Sequence, residues 1–396
     1  MSSATYDAFS AQLQAIRRDL HAHPELCFEE HRTSDIVAQK LTEWGIPVTR
    51  GLAGTGVVGI IQRGKSTRRI GLRADMDALP MQELNQFAHA SVYSGKMHAC
   101  GHDGHTAMLL GAAYHLARNE SLDGTVVLIF QPAEEGGGGA KRMMDEGLFE
   151  RFPVDAVFGM HNYPGMPVGH FGLTTGPMLA SASGFKATVT GKGAHAAQPQ
   201  YAIDPLMVGV QIAQGWQTVM TRNRDPMENG VLSITQFHAG STGNVIPEKA
   251  ILEGTVRTFN PDLLDLIEQR MHDIAQHTAA AYGAQLDFQF DRQYPALIND
   301  AAQTAFATQV LQKMVGTEAV DAQFRPIFAA EDFAFMLQKI PGCYVHIGNG
   351  GDGHRASGHG LGPCQLHNAS YDFNDDLLPL GTDFWVNLVE AFLASR

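Results

Sequence analysis

Apolar side chains recur at helical spacing at Phe9, Leu13, Ile16 and Leu20, and Pro24 stops the run. A second helix is predicted over 33–44, closing at Gly45. The rhythm then shortens. Residues 57–61 and 69–74 are brief apolar runs bounded by turn residues, as in strands, and the second leads directly into Asp75-Met76-Asp77. The alternation continues with a helix over 105–117 and a strand over 125–130. A polar turn follows, Gln131-Pro132-Ala133-Glu134-Glu135-Gly136, then a helix over 140–146 and a strand over 156–160 that ends at His161.

From about Ser183 the texture changes. Residues 185–190 alternate like a half-exposed strand. A helix over 205–221, strands over 231–237 and 251–258, a helix over 262–282 and a strand over 285–290 follow. After Pro295 the first texture resumes, with a helix over 301–315, an apolar strand over 343–347 and a helix over 380–393. Strands alternating with helices predict an α/β fold whose parallel-rich sheet is covered on both faces, with its chemistry at the strand carboxyl ends. The middle stretch predicts a small inserted α+β domain. The expected organisation is 1–183 and 297–396 as one catalytic domain and 184–296 as the insertion. A length of 396 residues is too great for one core and fits this division.

Composition narrows the class. The chain is 44% hydrophobic with a formal net charge of −13, which argues against nucleic acid or an anionic membrane as partner. No apolar run approaches the ~20 residues that span a bilayer, and the N-terminus has no basic and apolar leader pattern. The cysteines (Cys27, Cys100, Cys343, Cys364) are scattered, which fits reduced thiols and a cytoplasmic location.

The chemistry concentrates in Lys96-Met97-His98-Ala99-Cys100-Gly101-His102-Asp103-Gly104-His105. Thiolate and imidazole together suit a borderline-soft divalent cation. Cys100 and His102, two apart, can point to one side of an extended loop. Glu135, His161 and His367 are further metal-competent side chains at strand ends or loops. Five such ligands are more than one tetrahedral ion takes, so a two-metal site is expected. Glu134 and Glu135 divide the labour: Glu135 ligates, and Glu134 serves as general base on a water activated by the cations.

These motifs, with Arg73-Ala74-Asp75-Met76-Asp77, Gly159-Met160-His161-Asn162 and Gly191-Lys192-Gly193-Ala194-His195, resemble the aminoacylase/carboxypeptidase G family of metallopeptidases. Within it they are similar to the amidohydrolase branch of hippurate hydrolases, N-acyl-amino-acid amidohydrolases and auxin-conjugate hydrolases. The match runs from Arg17 to near the end of the chain. The resemblance implies a zinc-peptidase-like catalytic domain with a central mixed sheet, and an inserted lid or dimerisation domain. It implies Cys100, His102, Glu135, His161 and His367 as ligands of two divalent metals, Glu134 as base, and Asp77 as the carboxylate that orients a ligand. It further implies a homodimer, or a tetramer built from dimers, in which His195 reaches the partner's active site and helps polarise the scissile carbonyl. Asn244 and Arg257 fall at positions that grip substrate in relatives.

One position departs from the dizinc carboxypeptidases, which carry His-x-Asp where this chain has Asp75-Met76-Asp77. Cys100 is the substitute ligand, and zinc, manganese, cobalt and nickel all remain open. The loop Gly348–Gly360 reads equally as a border of the substrate pocket or as a plain exposed loop. The expected reaction is hydrolysis of an N-acyl or N-aroyl amino acid, hippurate-like substrates first. The rivals are a dipeptidase, an N-carbamoyl-amino-acid or N-acetyl-diaminopimelate hydrolase, and a non-enzymatic metal-binding dimer.

Overall fold

The computed structural model describes residues 3–354 and 358–395. The chain divides into two units. The first comprises Met1–Met178, Ile298–Arg325 and Asp332–Arg396, and the second Leu179–Leu297 and Pro326–Glu331.

The chain opens with α1 (Ser3–Ala22), α2 (His31–Glu43), β1 (Val48–Leu52), β2 (Gly56–Arg63) and β3 (Arg69–Asp75). Next come α3 (His102–Arg118), β4 (Gly124–Gln131), α4 (Gly139–Asp145), α5 (Leu148–Arg151), β5 (Ala156–Pro164), β6 (Phe171–Gly172) and β7 (Gly176–Leu179). The middle of the chain holds β8 (Ala182–Thr190), β9 (Ala194–His195), α6 (Pro205–Thr218), β10 (Gly230–Ala239) and β11 (Val245–Ile246). It continues with β12 (Lys249–Thr258), α7 (Pro261–Ala281) and β13 (Gln285–Tyr294). The remainder holds β14 (Leu297–Asn299), α8 (Ala301–Val315), β15 (Val320–Asp321), α9 (Phe333–Leu337), β16 (Gly342–Gly350) and α10 (Leu377–Ala394).

The first unit is built on an eight-stranded mixed sheet in the order β1-β2-β4-β3-β5-β16-β6-β15. Its middle four strands, β4, β3, β5 and β16, run parallel. Six of the seven residues of β3 are buried, as a parallel strand covered on both faces requires. Parallel alignment sends the segments after β3 and β4 to the same edge of the sheet. Helix α3 is buried along most of its length and packs against α1, α10 and β3. Glycine permits the closest approach: a Cβ at Gly381 would overlap the Met108 sulfur, and one at Gly111 would overlap the Thr382 hydroxyl.

The last helix is the most apolar. Leu377–Ala394 is long and apolar enough, by length and composition, to cross a membrane. Here Leu378, Phe384, Trp385, Leu388 and Val389 are buried in the core of the first unit. At about 1.5–3 kcal/mol per buried large apolar side chain, that packing accounts for the apolar composition.

In the second unit β10-β12-β8-β13 form an antiparallel sheet against which α6 and α7 pack. Both helices start on a capping side chain followed by proline. Asp204 accepts from the Leu206 and Met207 N–H groups, and Asn260 from that of Asp262. Trp216 on α6 is fully buried and donates to the Met271 carbonyl on α7.

Several boundaries moved. β1, too polar to stand out, is an edge strand paired, among the described residues, with β2 alone. The helix expected to reach 221 ends as an α-helix at Thr218 and continues as a π-turn over Val219–Asn223. β16 extends to Gly350, absorbing the start of the glycine-rich loop, while 355–357 of that loop lie outside the described residues.

Candidate metal centre and active site

Gly101 makes the turn that brings the first ligands together. It caps α3 with φ +97°, a left-handed conformation that a side chain disfavours. A Cβ here would also overlap Asn162 Oδ1 and lie 2.6 Å from the Tyr371 hydroxyl. The expected extended loop between Cys100 and His102 is therefore a tight turn, with His102 the first residue of α3.

Three sheet-edge segments close on this turn. His102 Nδ1 lies 3.3 Å from Asp77 Oδ1, just after β3. Asp77 also accepts the N–H groups of Glu134 (3.0 Å) and Glu135 (2.9 Å), in the turn after β4. His161 lies within β5, not after it, because that strand runs on to Pro164. Its Nδ1 donates to the Asn162 carbonyl at 2.7 Å, which leaves Nε2 facing Cys100 Sγ at 3.3 Å. His367 arrives from the segment before α10 with φ +58°, its N–H donating to the Ala99 carbonyl. Its Nε2 is 3.2 Å from Glu135 Oε1.

The ligand atoms fall into overlapping sets, each within 4.8 Å of one another. One set is Cys100, His102 and His161, and a second is Cys100, Glu135 and His367. Cys100 belongs to both, which suits a pair of adjacent cations. A third set joins Glu134 to His102 and Glu135. The residues fit a metal on a separate ground. His102 Nε2 is buried with no hydrogen-bond partner among the described residues, and the Asp75 Oδ2 it faces is 3.8 Å away. Leaving such an atom unpaired costs about 1–3 kcal/mol, and a cation removes that cost.

Electrostatics agree. Burial alone would push the His102 imidazole down, but Asp75 and Asp77 raise it to about 10, so this spot attracts positive charge. Burial, then His105, holds His161 well below the usual range and keeps it a neutral donor. Burial and the neighbouring Glu135, Glu134 and Asp75 push the Cys100 thiol well up, so thiolate forms there only beside a cation.

Both oxygens of buried Asp75 are engaged. Oδ2 takes Arg73 Nη1 and Oδ1 takes His105 Nδ1, each at 2.6 Å. His105 Nε2 in turn lies 2.8 Å from Asn162 Oδ1, and Arg73 reaches on to Asp332 at 3.0 Å. Burial would raise the Asp75 carboxyl, but His102, Arg73 and His105 hold it well below the ordinary range. Sequence reasoning missed Arg73, His105 and Asn162 in this supporting role. The one available signal was a charged Arg73 inside an otherwise apolar strand.

A buried ionic cluster sits under α3. Asp103, in its first turn, lies 2.9 Å from His21 Nδ1 and 3.6 Å from Arg17 Nη1, both on α1. His21 Nε2 faces Glu83 at 3.3 Å. Burial would lower His21, but Asp103 and Glu83 raise it to about 10. The cluster fixes the helix end that carries His102.

The other three candidates belong to the second unit. His195 is exposed on β9, opposite Val245 of β11, and its Nδ1 accepts the Ala197 N–H. Asn244, also exposed, offers its carbonyl to the Ala196 N–H at 3.0 Å, so the two candidates flank one antiparallel strand pair. Arg257 is half-buried on β12 opposite Val231, and its Nη1 is buried without a hydrogen-bond partner among the described residues.

A shared thiol position, two ligand sets and a carboxylate beside them, at the edge of a mixed α/β sheet, suit a metal-dependent hydrolase. Comparison with known proteins gives the family. The sequence profile of peptidase family M20/M25/M40 matches residues 71–391, and the chain belongs to that family, in its amidohydrolase branch. It is 38% identical to the hippurate hydrolase of Campylobacter jejuni over 96% of this chain and 97% of that one. It is 40% identical to the N-acetyl-L-cysteine deacetylase of Bacillus subtilis, over 86% and 81%. Its fold is similar to that of the Bacillus subtilis YXEP protein, a dinuclear metal binding peptidase of the M20 family. The TM-score is 0.85 at 34% identity, covering 98% and 99% of the two chains.

Proposed function

We propose that this hydrolase cleaves the amide bond of N-acyl or N-aroyl amino acids, hippurate-like substrates first, to a carboxylic acid and a free amino acid. The observation that carries the reading is Glu134: buried, tied through its N–H to Asp77, with its carboxylate beside His102 and Glu135. Cys100, His102, Glu135, His161 and His367 would hold two divalent cations, zinc or manganese first. When bound, such cations polarise a carbonyl and acidify water. Glu134 takes the proton from the attacking water and returns it to the departing nitrogen. Asp77 keeps His102 in the tautomer that offers Nε2 outward. Arg257, with an unmatched buried N–H group, suits the substrate carboxylate. His195 is assigned to the oxyanion, acting from the partner in a homodimer.

The names of the relatives support acyl-amino-acid hydrolysis and differ in the acyl group. One cleaves hippurate, another deacetylates N-acetyl-L-cysteine. A substrate panel on the metal-loaded protein tests the reading: benzoyl-glycine, N-acetyl-cysteine, N-acetyl-methionine, glycyl-dipeptides and an N-carbamoyl amino acid. Release of amine from the acylated amino acids is the expected result. Turnover confined to dipeptides or to the carbamoyl compound would overturn it.

A further inference from the structure

Cys27 lies on the turn between α1 and α2, and its side chain is half-buried. Its Sγ is 3.3 Å from Asp77 Oδ2 and 3.2 Å from the Glu135 carbonyl oxygen. The turn is seated independently of the thiol. Leu26 bridges to Ala78, and the Ala78 N–H donates to the Glu25 carbonyl at 2.8 Å. Buried Glu30 accepts the N–H groups of Phe28 and Ala133 on one oxygen and the Thr55 hydroxyl on the other. Ala133 immediately precedes Glu134 and holds φ +55°. Residues 25–30 thus form a saddle under both the 75–78 and the 131–135 segments, and the thiol is its point of contact with Asp77.

Asp77 carries four donors. Oδ1 takes the Glu134 N–H and His102 Nδ1, and Oδ2 takes the Glu135 N–H and Cys27 Sγ. Three of them belong to residues already assigned to the metal centre. The fourth comes from a separate stretch of chain and balances the carboxylate on its other side.

We propose that Cys27 is a positioning residue for the metal centre: its single S–H, shared between Asp77 Oδ2 and the Glu135 carbonyl oxygen, completes the set of donors that aims His102 Nε2 and the Glu134–Glu135 turn. The proposal rests on the reading of His102 and Glu135 as ligands. A thiol is a weak donor, but a carboxylate acceptor strengthens it. Removing it frees Asp77 to rotate towards its remaining partners, which loosens His102. Partners of this kind change metal affinity more than they change substrate binding.

The test measures zinc affinity by competition with a chromophoric chelator, starting from metal-free protein, for wild type, Cys27→Ala, Cys27→Val and Cys27→Ser. Thermal melts of each metal-free variant establish folding. Cys27→Ala and Cys27→Val are expected to weaken zinc binding about 3–10-fold, with KM within about two-fold of wild type. Cys27→Ser, which keeps an O–H donor, is expected to restore affinity to within about two-fold. Should Cys27→Val fail to fold, Cys27→Ala against Cys27→Ser carries the comparison. Equal affinity in Cys27→Ala and wild type overturns the proposal, as does a Cys27→Ser variant as weak as Cys27→Ala. A wild-type protein that binds no zinc, manganese or cobalt overturns the metal-centre reading itself, and this proposal with it.

Discussion

Cys100 Sγ and His161 Nε2 face each other at 3.3 Å, although they are carried by different sheet-edge segments and neither nitrogen of the ring is idle. A thiol and a neutral imidazole, both buried, gain little from each other alone. A cation between them converts the pair into two ligand bonds. Cys100→Ser keeps the volume but offers a far poorer anion, so it is expected to lower zinc affinity and kcat/KM about 100-fold or more. Metal analysis after dialysis, with activity measured in parallel, checks this. Full zinc retention would remove Cys100 from the ligand set.

Glu134→Gln is expected to keep both metals and near-normal KM while kcat drops about 10²–10⁴-fold, the usual share of a general base. Metal content and steady-state kinetics separate the outcomes. Near-wild-type kcat with metal bound would exclude the base role.

Arg257→Gln is expected to raise KM at least about ten-fold for benzoyl-glycine, through loss of a charge-assisted contact of about 1.5–3 kcal/mol. The same variant should treat benzoyl-glycinamide, which has no carboxylate, much as wild type does. An equal effect on both substrates would make Arg257 a structural residue only.

His21 makes stability depend on pH. Its folded value is raised above the ordinary 6.5 to about 10, so the stabilisation from its protonated form is complete below about pH 6.5. That stabilisation is lost as pH rises towards 10, by at most about 1.4 kcal/mol per pH unit. The denaturation midpoint of metal-saturated wild type should fall across this window, and His21→Gln should flatten the slope while lowering stability at pH 6. An identical slope in both proteins would assign the alkaline loss to another group.

Gly101→Ala combines a left-handed φ with overlap on Asn162. A loss of about 2–4 kcal/mol in unfolding free energy is expected, together with weakened metal binding. Urea denaturation of the metal-free and metal-loaded protein distinguishes the two effects.

Much of the site was legible because its chemistry is local. Cys100, His102, Glu134 and Glu135 stand in two short runs whose residue types have few other reasons to occur together. Three things were not legible. Placement of His161 inside β5 depends on the length of its pairing with β16, which no local pattern records. The bonds that occupy Asp75 run to Arg73 and His105, and reading them requires knowing that β3 and α3 meet. Cys27 was hidden for the same reason: its partners lie 50 and 108 residues away. In the fold, helices with apolar stripes and caps were plain, whereas β1 is too polar to register as a strand. Helix α10 is the opposite case, a segment whose composition suits lipid and whose neighbours are protein.

The packing of α10 on α3 also imposes an order on biosynthesis. Everything between Arg118 and Leu377 must leave the ribosome before that contact can form, which at ordinary elongation rates takes roughly ten to fifty seconds. The second unit, Leu179–Leu297 with Pro326–Glu331, is also made inside that interval. Throughout it, the flank of α3 that α10 covers in the folded protein is without that helix.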